Sequence, residues 1–201
     1  NIPYLYLVMS KERSDRHALV VSSAAKGSEF FLGCLSPEFS VEFSSCGAEA
    51  RRKLSFTDYD AAVINCPLTD EYGTDLAEEI VNNSSAGVIL LVKSDAWESV
   101  SFGMEKIGVY CLKKPLSAES FREGARLAAA TSERLKAYAR KTETLKTKME
   151  EIKLVGRAKL LLMQKLSLSE AEAHKYIERR AMDGCVKRSV VAENVIKTYG
   201  D

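Results

Sequence analysis

The stretch Lys153–Ile196, KLVGRAKLLLMQKLSLSEAEAHKYIERRAMDGCVKRSVVAENVI, contains three short amphipathic helical patterns separated by cap and stop residues. In the first, Val155, Leu160, Leu162 and Met163 form an apolar stripe, beside the cations Arg157, Lys159 and Lys165. The second opens at Ser169 with Glu172 three residues on, the spacing of a capping box that satisfies two orphan backbone N–H groups. It runs through Ala173, Tyr176 and Ile177 to Arg179 and Arg180, and Gly184 stands where a helix would stop. The third carries Lys187 and Arg188 in its first turn and directs Val190, Val191, Val195 and Ile196 toward a core. Cations in a first turn oppose the helix dipole, so their placement suggests an anionic partner.

Several spacings here match together: Ala158-Lys159-x-x-Leu162-Met163, then Ala173, then Arg180-Ala181-Met182. This pattern resembles the ANTAR domain, the RNA-binding module of bacterial transcription antitermination regulators, over about a quarter of the chain. The resemblance implies a receiver domain and a dimerising helix upstream, and a target of paired RNA hairpins whose loops are read by two copies of the domain. The RNA contacts expected are Arg157, Lys159, Lys165, Arg179, Arg180, Lys187 and Arg188. Lys and Arg neutralise phosphates, and Arg planes stack on bases or fork to them. A solvated surface charge is the alternative for each cation taken singly. Tyr176 is either a stacking residue or core, whereas Ala158 and Met163 are read as packing and His174 as surface.

Upstream, short apolar runs at Ala18–Val21, Val41–Phe43, Ala61–Ile64, Val88–Val92 and Val109–Leu112 alternate with helical patterns. Those patterns fall at about Gly27–Leu35, Ala48–Leu54, Gly73–Asn82, Trp97–Lys106 and from Ala118 onward. The order (βα)5 predicts a parallel, flavodoxin-like sheet covered on both faces, with function at the carboxyl ends of its strands.

Asp60-Ala-Ala-Val-Ile-Asn65 with Gly73 beyond it, and Lys113-Lys114-Pro115, resemble the third and fifth strand ends of a response-regulator receiver. Carried over residue by residue, Lys114 matches the receiver's lysine. Asn65 stands at the phosphoacceptor aspartate, Ser22 and Ser23 at the two Mg²⁺-holding acids, Val92 at the switch hydroxyl and Cys111 at the switch aromatic. An amide cannot form an acyl phosphate. Two hydroxyls and an amide are poor ligands for Mg²⁺, and Val92 cannot hydrogen-bond a phosphoryl oxygen. The expectation is therefore a pseudo-receiver not controlled by aspartyl phosphorylation. Asp58, Asp60 and Asp70 are the acceptors that an alignment slip would supply instead. Lys114 is read as bonded to strand-end carbonyls, although a small ligand or a partner side chain could occupy the pocket.

From Ala118 to about Gln164 the chain has no proline and is rich in good helix formers, which predicts one long rod. Leu135, Thr142 and Met149, and Tyr138, Leu145 and Ile152, each recur every seven residues and make an a/d seam over about three heptads. A parallel homodimer is expected, weakened at Thr142. A helix packed on its own domain is the alternative.

Net charge is +1 but unevenly spread. Residues 1–129 hold 13 Lys/Arg against 18 Asp/Glu, a net of −5, and residues 130–201 hold 16 against 10, a net of +6. That asymmetry fits a sensor joined to a polyanion-binding effector, or simply a lysine-rich solvated helix. The five cysteines form no C-x-x-C pair, so neither a disulfide framework nor a zinc site is expected. With only His17 and His174, histidine-based catalysis has little material. No apolar run is long enough to span a membrane, and a cytoplasmic location is expected. Met9 reads as a translation start, with residues 1–8 foreign to the natural chain.

The expected fold class is α/β plus all-α. Its parts are an N-terminal extension at 1–16, a pseudo-receiver at 17–129, a coiled-coil dimerisation helix at 130–155 and a three-helix ANTAR domain at 156–201. The expected function is non-catalytic and needs no metal or cofactor: a dimer binds leader RNA hairpins so that the terminator cannot form. A regulatory ligand or protein on the pseudo-receiver would supply the signal. A protein-interaction adaptor and a DNA-binding response regulator are the rival readings.

Overall fold

A computed structural model describes residues 16–24 and 27–200. The expectations for residues 1–8, for Met9 and for most of the extension at 1–16 lie outside the described residues. The chain divides into two compact units between Ala137 and Tyr138.

The first unit holds five strands: β1 (His17–Val21), β2 (Ser40–Ser44), β3 (Ala61–Asn65), β4 (Gly87–Lys93) and β5 (Tyr110–Lys114). Helices α1 (Ser28–Leu35), α2 (Gly47–Leu54), α3 (Thr74–Asn83) and α4 (Trp97–Lys106) connect them, and α5 (Ala118–Leu166) follows β5. All pairings are parallel, in the order β2-β1-β3-β4-β5. This is the doubly wound arrangement whose strand order reverses between β1 and β3, where ligands of such sheets bind.

The central strands are buried on both faces, which is why they read as continuous apolar runs rather than alternating ones. On one face Leu19, Val21, Ala62, Ile64, Val88, Leu90 and Val92 pack with Leu76, Ala77 and Ile80 of α3. On the other, Ala18, Val20, Ala61, Val63, Ile89 and Leu91 meet Phe31 and Leu35 of α1 and Phe121, Ala125, Ala128 and Ala129 of α5. The small residues of α5 allow close approach, and a Cβ at Gly87 would collide with the Ala128 backbone. Gly73 has φ +108° just before α3, and a Cβ there would sit 2.8 Å from Ile64 Cγ2. Only glycine tolerates that combination of a left-handed backbone and a blocked side.

At the amino edge of the sheet Asp60 is almost fully buried. It accepts the His17 N–H at 2.8 Å and the Lys136 ammonium at 2.5 Å. The pair ties α5 to the start of β1 and β3.

α5 runs unbroken for 49 residues and passes the division between the units. In the second unit its C-terminal part packs with α6 (Glu170–Asp183) and α7 (Arg188–Tyr199). The core there is Ala158, Leu162, Ala173, Ile177, Ala181, Val191, Ala192 and Val195. α6 starts on the expected capping box, with both Ser169 and Glu172 hydrogen bonds formed. It ends at Gly184, whose backbone is right-handed, and the left-handed residue is the next one, Cys185 at φ +49°. Two stripe assignments are corrected: Leu160 and Val190 are exposed, not core. On α5 the buried line runs through Ala158 and Leu162, which puts Leu160 on the opposite side at 100° per residue.

Candidate nucleic-acid interface

The carboxyl edge of the sheet brings together three of the receiver-like positions. The Lys114 ammonium donates to Asn65 Oδ1 at 2.8 Å and to the Cys66 carbonyl at 2.5 Å. The Asn65 amide donates in turn to Ser22 Oγ at 3.0 Å. Burial holds the Lys114 pKa below the usual lysine value, and the like charge of Lys93 acts the same way. Burial also pushes the neighbouring Cys66 thiol up to about 12, which keeps it neutral. Ser23 is exposed beyond the end of β1.

Val92 does not join this group. Its side chain is fully buried in the opposite-face core, and Cys111 lies in that same core. Because strand side chains alternate, the β4 residue on the Asn65 side is Lys93, which is registered against Lys114. Sequence reading missed Lys93 by one position.

The alternative aspartates are elsewhere. Asp60 is at the amino edge on Lys136, and exposed Asp58 precedes it in the same connection. Asp70 caps α2, accepting from the Gly47 and Ala48 N–H groups at 2.9 and 3.0 Å, and those bonds hold its carboxyl below the usual range. Among the described residues no cluster of three or more His, Cys, Asp or Glu is placed to hold a metal.

The second unit differs in its charge exposure. Arg157 on α5, Arg179 at the end of α6 and Lys187 ahead of α7 are exposed with no ion-pair partner among the described residues. Lys165 is also exposed. Lys159 binds Glu170 at 2.7 Å and holds that carboxyl below its ordinary pKa. Arg188 approaches Glu151 at 3.5 Å and Glu178 at 3.8 Å. Surface pairs of this kind are worth about 0–1 kcal/mol, so a phosphate can displace the carboxylates at small cost.

The expected cations divide between two concavities. One, of about 440 Å³, is lined by Lys148, Lys159, His174 and Arg188 over Ile152, Val155 and Gly156. The other, of about 350 Å³ between α6 and α7, includes Tyr176 and Arg180. There the Arg180 guanidinium lies 5.6 Å from the Tyr176 ring centroid. Tyr176 itself is half-buried against the core, so it serves packing and surface together. Lys148, Asn194, Thr198 and Tyr199 were not singled out from the sequence. The available signal was polar Asn194 and Thr198 at helical spacing with Val191 and Val195, on a face that should have been apolar.

The seam residues Leu135, Tyr138, Leu145, Met149 and Ile152 are 41–70% exposed, so nothing within the chain covers them. Thr142 is exposed too, and its hydroxyl bonds back to the Tyr138 carbonyl at 3.0 Å.

Residues 143–196 match the ANTAR domain family. Over 154 residues the chain is 29% identical to the transcriptional regulatory protein PdtaR of Mycobacterium tuberculosis, an alignment covering 77% of this chain and 75% of that protein. Among solved structures, the response regulator receiver domain protein of Clostridium thermocellum is similar at TM-score 0.53 and 18% identity, over 60% of this chain and 98% of that one. A protein described as adenylate cyclase from Rhodopirellula baltica is similar at TM-score 0.59 and 16% identity, over 65% and 97%. At such identities the likeness shows a shared fold and carries no activity. The chain therefore joins a receiver-like α/β domain to an ANTAR domain, a combination that supports a transcriptional regulator of the response-regulator type. Among the described residues no helix is long and apolar enough to cross a membrane.

Proposed function

We propose that this protein is an RNA-binding transcription antitermination regulator, and that the ANTAR match over a unit bearing exposed, uncompensated arginines and lysines carries that reading. Two chains pair along α5 through Leu135, Tyr138, Thr142, Leu145, Met149 and Ile152, with the rod of residues 130–155 as the dimerising element. The internally bonded Thr142 hydroxyl lowers the penalty of placing it in that seam. The ANTAR helices of residues 156–201 then hold paired hairpins of a nascent leader RNA, and the terminator cannot form. Arg157, Lys159, Lys165, Arg179, Arg180, Lys187 and Arg188 contact the RNA, whose unpaired loop bases and backbone are its accessible features. The protein catalyses no reaction in this scheme.

The receiver-like domain at 17–129 responds to something other than aspartyl phosphate. The Asn65 amide at the acceptor position, bonded to both Ser22 and Lys114, supports this. The signal is then a ligand, a protein partner or concentration alone.

The test is a titration against a two-hairpin RNA at two salt concentrations, with a scrambled-loop control and the solution mass recorded alongside. Tight, loop-dependent and steeply salt-dependent binding by a dimer is expected. Lys159→Ala with Arg180→Ala should abolish RNA retention while leaving helicity and mass unchanged. Equal weak binding to both RNAs would instead favour a protein-interaction adaptor.

A further inference from the structure

The groove between α6 and α7 has a composition that phosphate binding alone does not require. Its floor is the apolar Val191 and Val195, both buried in the core. One wall is the Tyr176 ring with the Arg180 guanidinium over it, a flat cationic surface of the kind on which bases stack. The other wall carries exposed Asn194, whose carboxamide has no protein hydrogen-bond partner among the described residues, and Tyr199. A phosphate is served by an exposed cation and needs no concavity. An apolar floor, a stacking wall and a free amide together suit a planar, edge-polar ring.

We infer that this groove receives one unpaired nucleobase of the bound RNA, an adenine. The inference rests on the RNA-binding reading above and assigns a base-specific role to residues outside the cationic set. A volume of about 350 Å³ is near the low end for small-ligand pockets and suits a single nucleotide. The base comes from a loop, since stacked bases within an A-form stem cannot reach such a pocket. Asparagine offers one donor and one acceptor side by side, the complement of adenine N7 and N6–H₂. Stacking on Tyr176 and Arg180 supplies affinity for any base, and Asn194 supplies the choice among them.

The experiment uses the full chain and a pool of stem–loop RNAs with a fixed stem and a randomised loop, sequenced before and after capture. The wild-type protein should enrich adenine at one loop position by roughly tenfold or more. Asn194→Ala should flatten the preference at that position alone. Asn194→Asp, which presents only acceptors, should shift it toward cytosine, whose N4–H₂ is a donor. Asn194 is exposed, so both variants are expected to keep the helical signal of the parent. If the wild type selects loop bases and both variants select the same ones, the base pocket is overturned while RNA recognition stands. If the wild type selects no loop at all, the RNA-binding reading falls, and this inference with it.

Discussion

The carboxyl edge of the sheet and the surface of the ANTAR helices are both cationic, yet they use charge in opposite ways. At the sheet edge Lys114 is half-buried and spends its hydrogen bonds on Asn65 and the Cys66 carbonyl. On the helices Arg157, Arg179 and Lys187 stand in solvent with no partner, and Lys159 and Arg188 hold only surface carboxylates. A lysine engaged internally from a buried position stabilises a fold, and a cation left open is available to a polyanion. The difference locates recognition in the second unit and assigns a structural role to the polar groups of the first.

Four variants or conditions would sharpen or break that contrast. The largest effect is expected for Ile177→Ala, which removes a fully buried side chain from the small helical core. A loss of about 2–5 kcal/mol is expected, read by denaturant unfolding, with the transition of the α/β unit left in place. A single transition that moves as a whole would show that the units fold together.

Next in size is Asp60→Ala, which strands the Lys136 ammonium and the His17 N–H at the amino edge. Leaving such groups without a partner costs about 1–3 kcal/mol. Thermal unfolding of the α/β unit should register it, whereas Ser22→Ala at the other edge, removing one half-exposed acceptor, should move the midpoint much less. Equal shifts would mean that the two edges are equally structural.

Acid should act on the start of α6. Hydrogen bonds from Lys159 to Glu170, and from the Ser169 hydroxyl and N–H to Glu172, hold both carboxyls below the ordinary glutamate value of 4.5. A depressed folded-state pKa stabilises above the unfolded value, and that stability is lost as pH falls through the folded one. Helicity of the ANTAR unit should therefore decline below pH 4.5, and Glu172→Gln should flatten the decline. A profile unchanged by that substitution would remove the capping box as its cause.

The smallest effect is expected for Asn65→Asp. It places a carboxylate beside Lys114, but without acids at Ser22 and Ser23 the edge still lacks a Mg²⁺ site. Intact-mass measurement after exposure to acetyl phosphate should show no adduct on this variant or on the wild type. An adduct on the wild type would break the phosphate-independent reading of the first unit.

Much of this was legible in the sequence for identifiable reasons. Buried parallel strands must be apolar on both faces, so Ala18–Val21 and Val88–Val92 announced themselves. The Ser169/Glu172 box marked a helix start because its chemistry is local. Val92 was misplaced because a strand alternates at every residue, so an error of one carries a side chain to the other face. Leu160 and Val190 looked like core because apolar type alone does not say which side of a helix is covered. Asn194, Thr198 and Tyr199 could not be joined to Arg180, because what unites them is a groove between two helices.

The sequence by itself determined the order of strands and helices, the long α5, the positions of the caps and the missing acids at the receiver-like edge. These depend on local propensity, periodicity and residue type, all of which act over a few neighbours. Only the tertiary structure decided that Asp60 sits at the far edge on Lys136, that Lys93 rather than Val92 stands near Lys114, and that the seam residues are uncovered within the chain. It alone assembled the groove holding Tyr176, Arg180 and Asn194. Each of these depends on residues far apart in the chain being brought together, which packing decides and local pattern does not record.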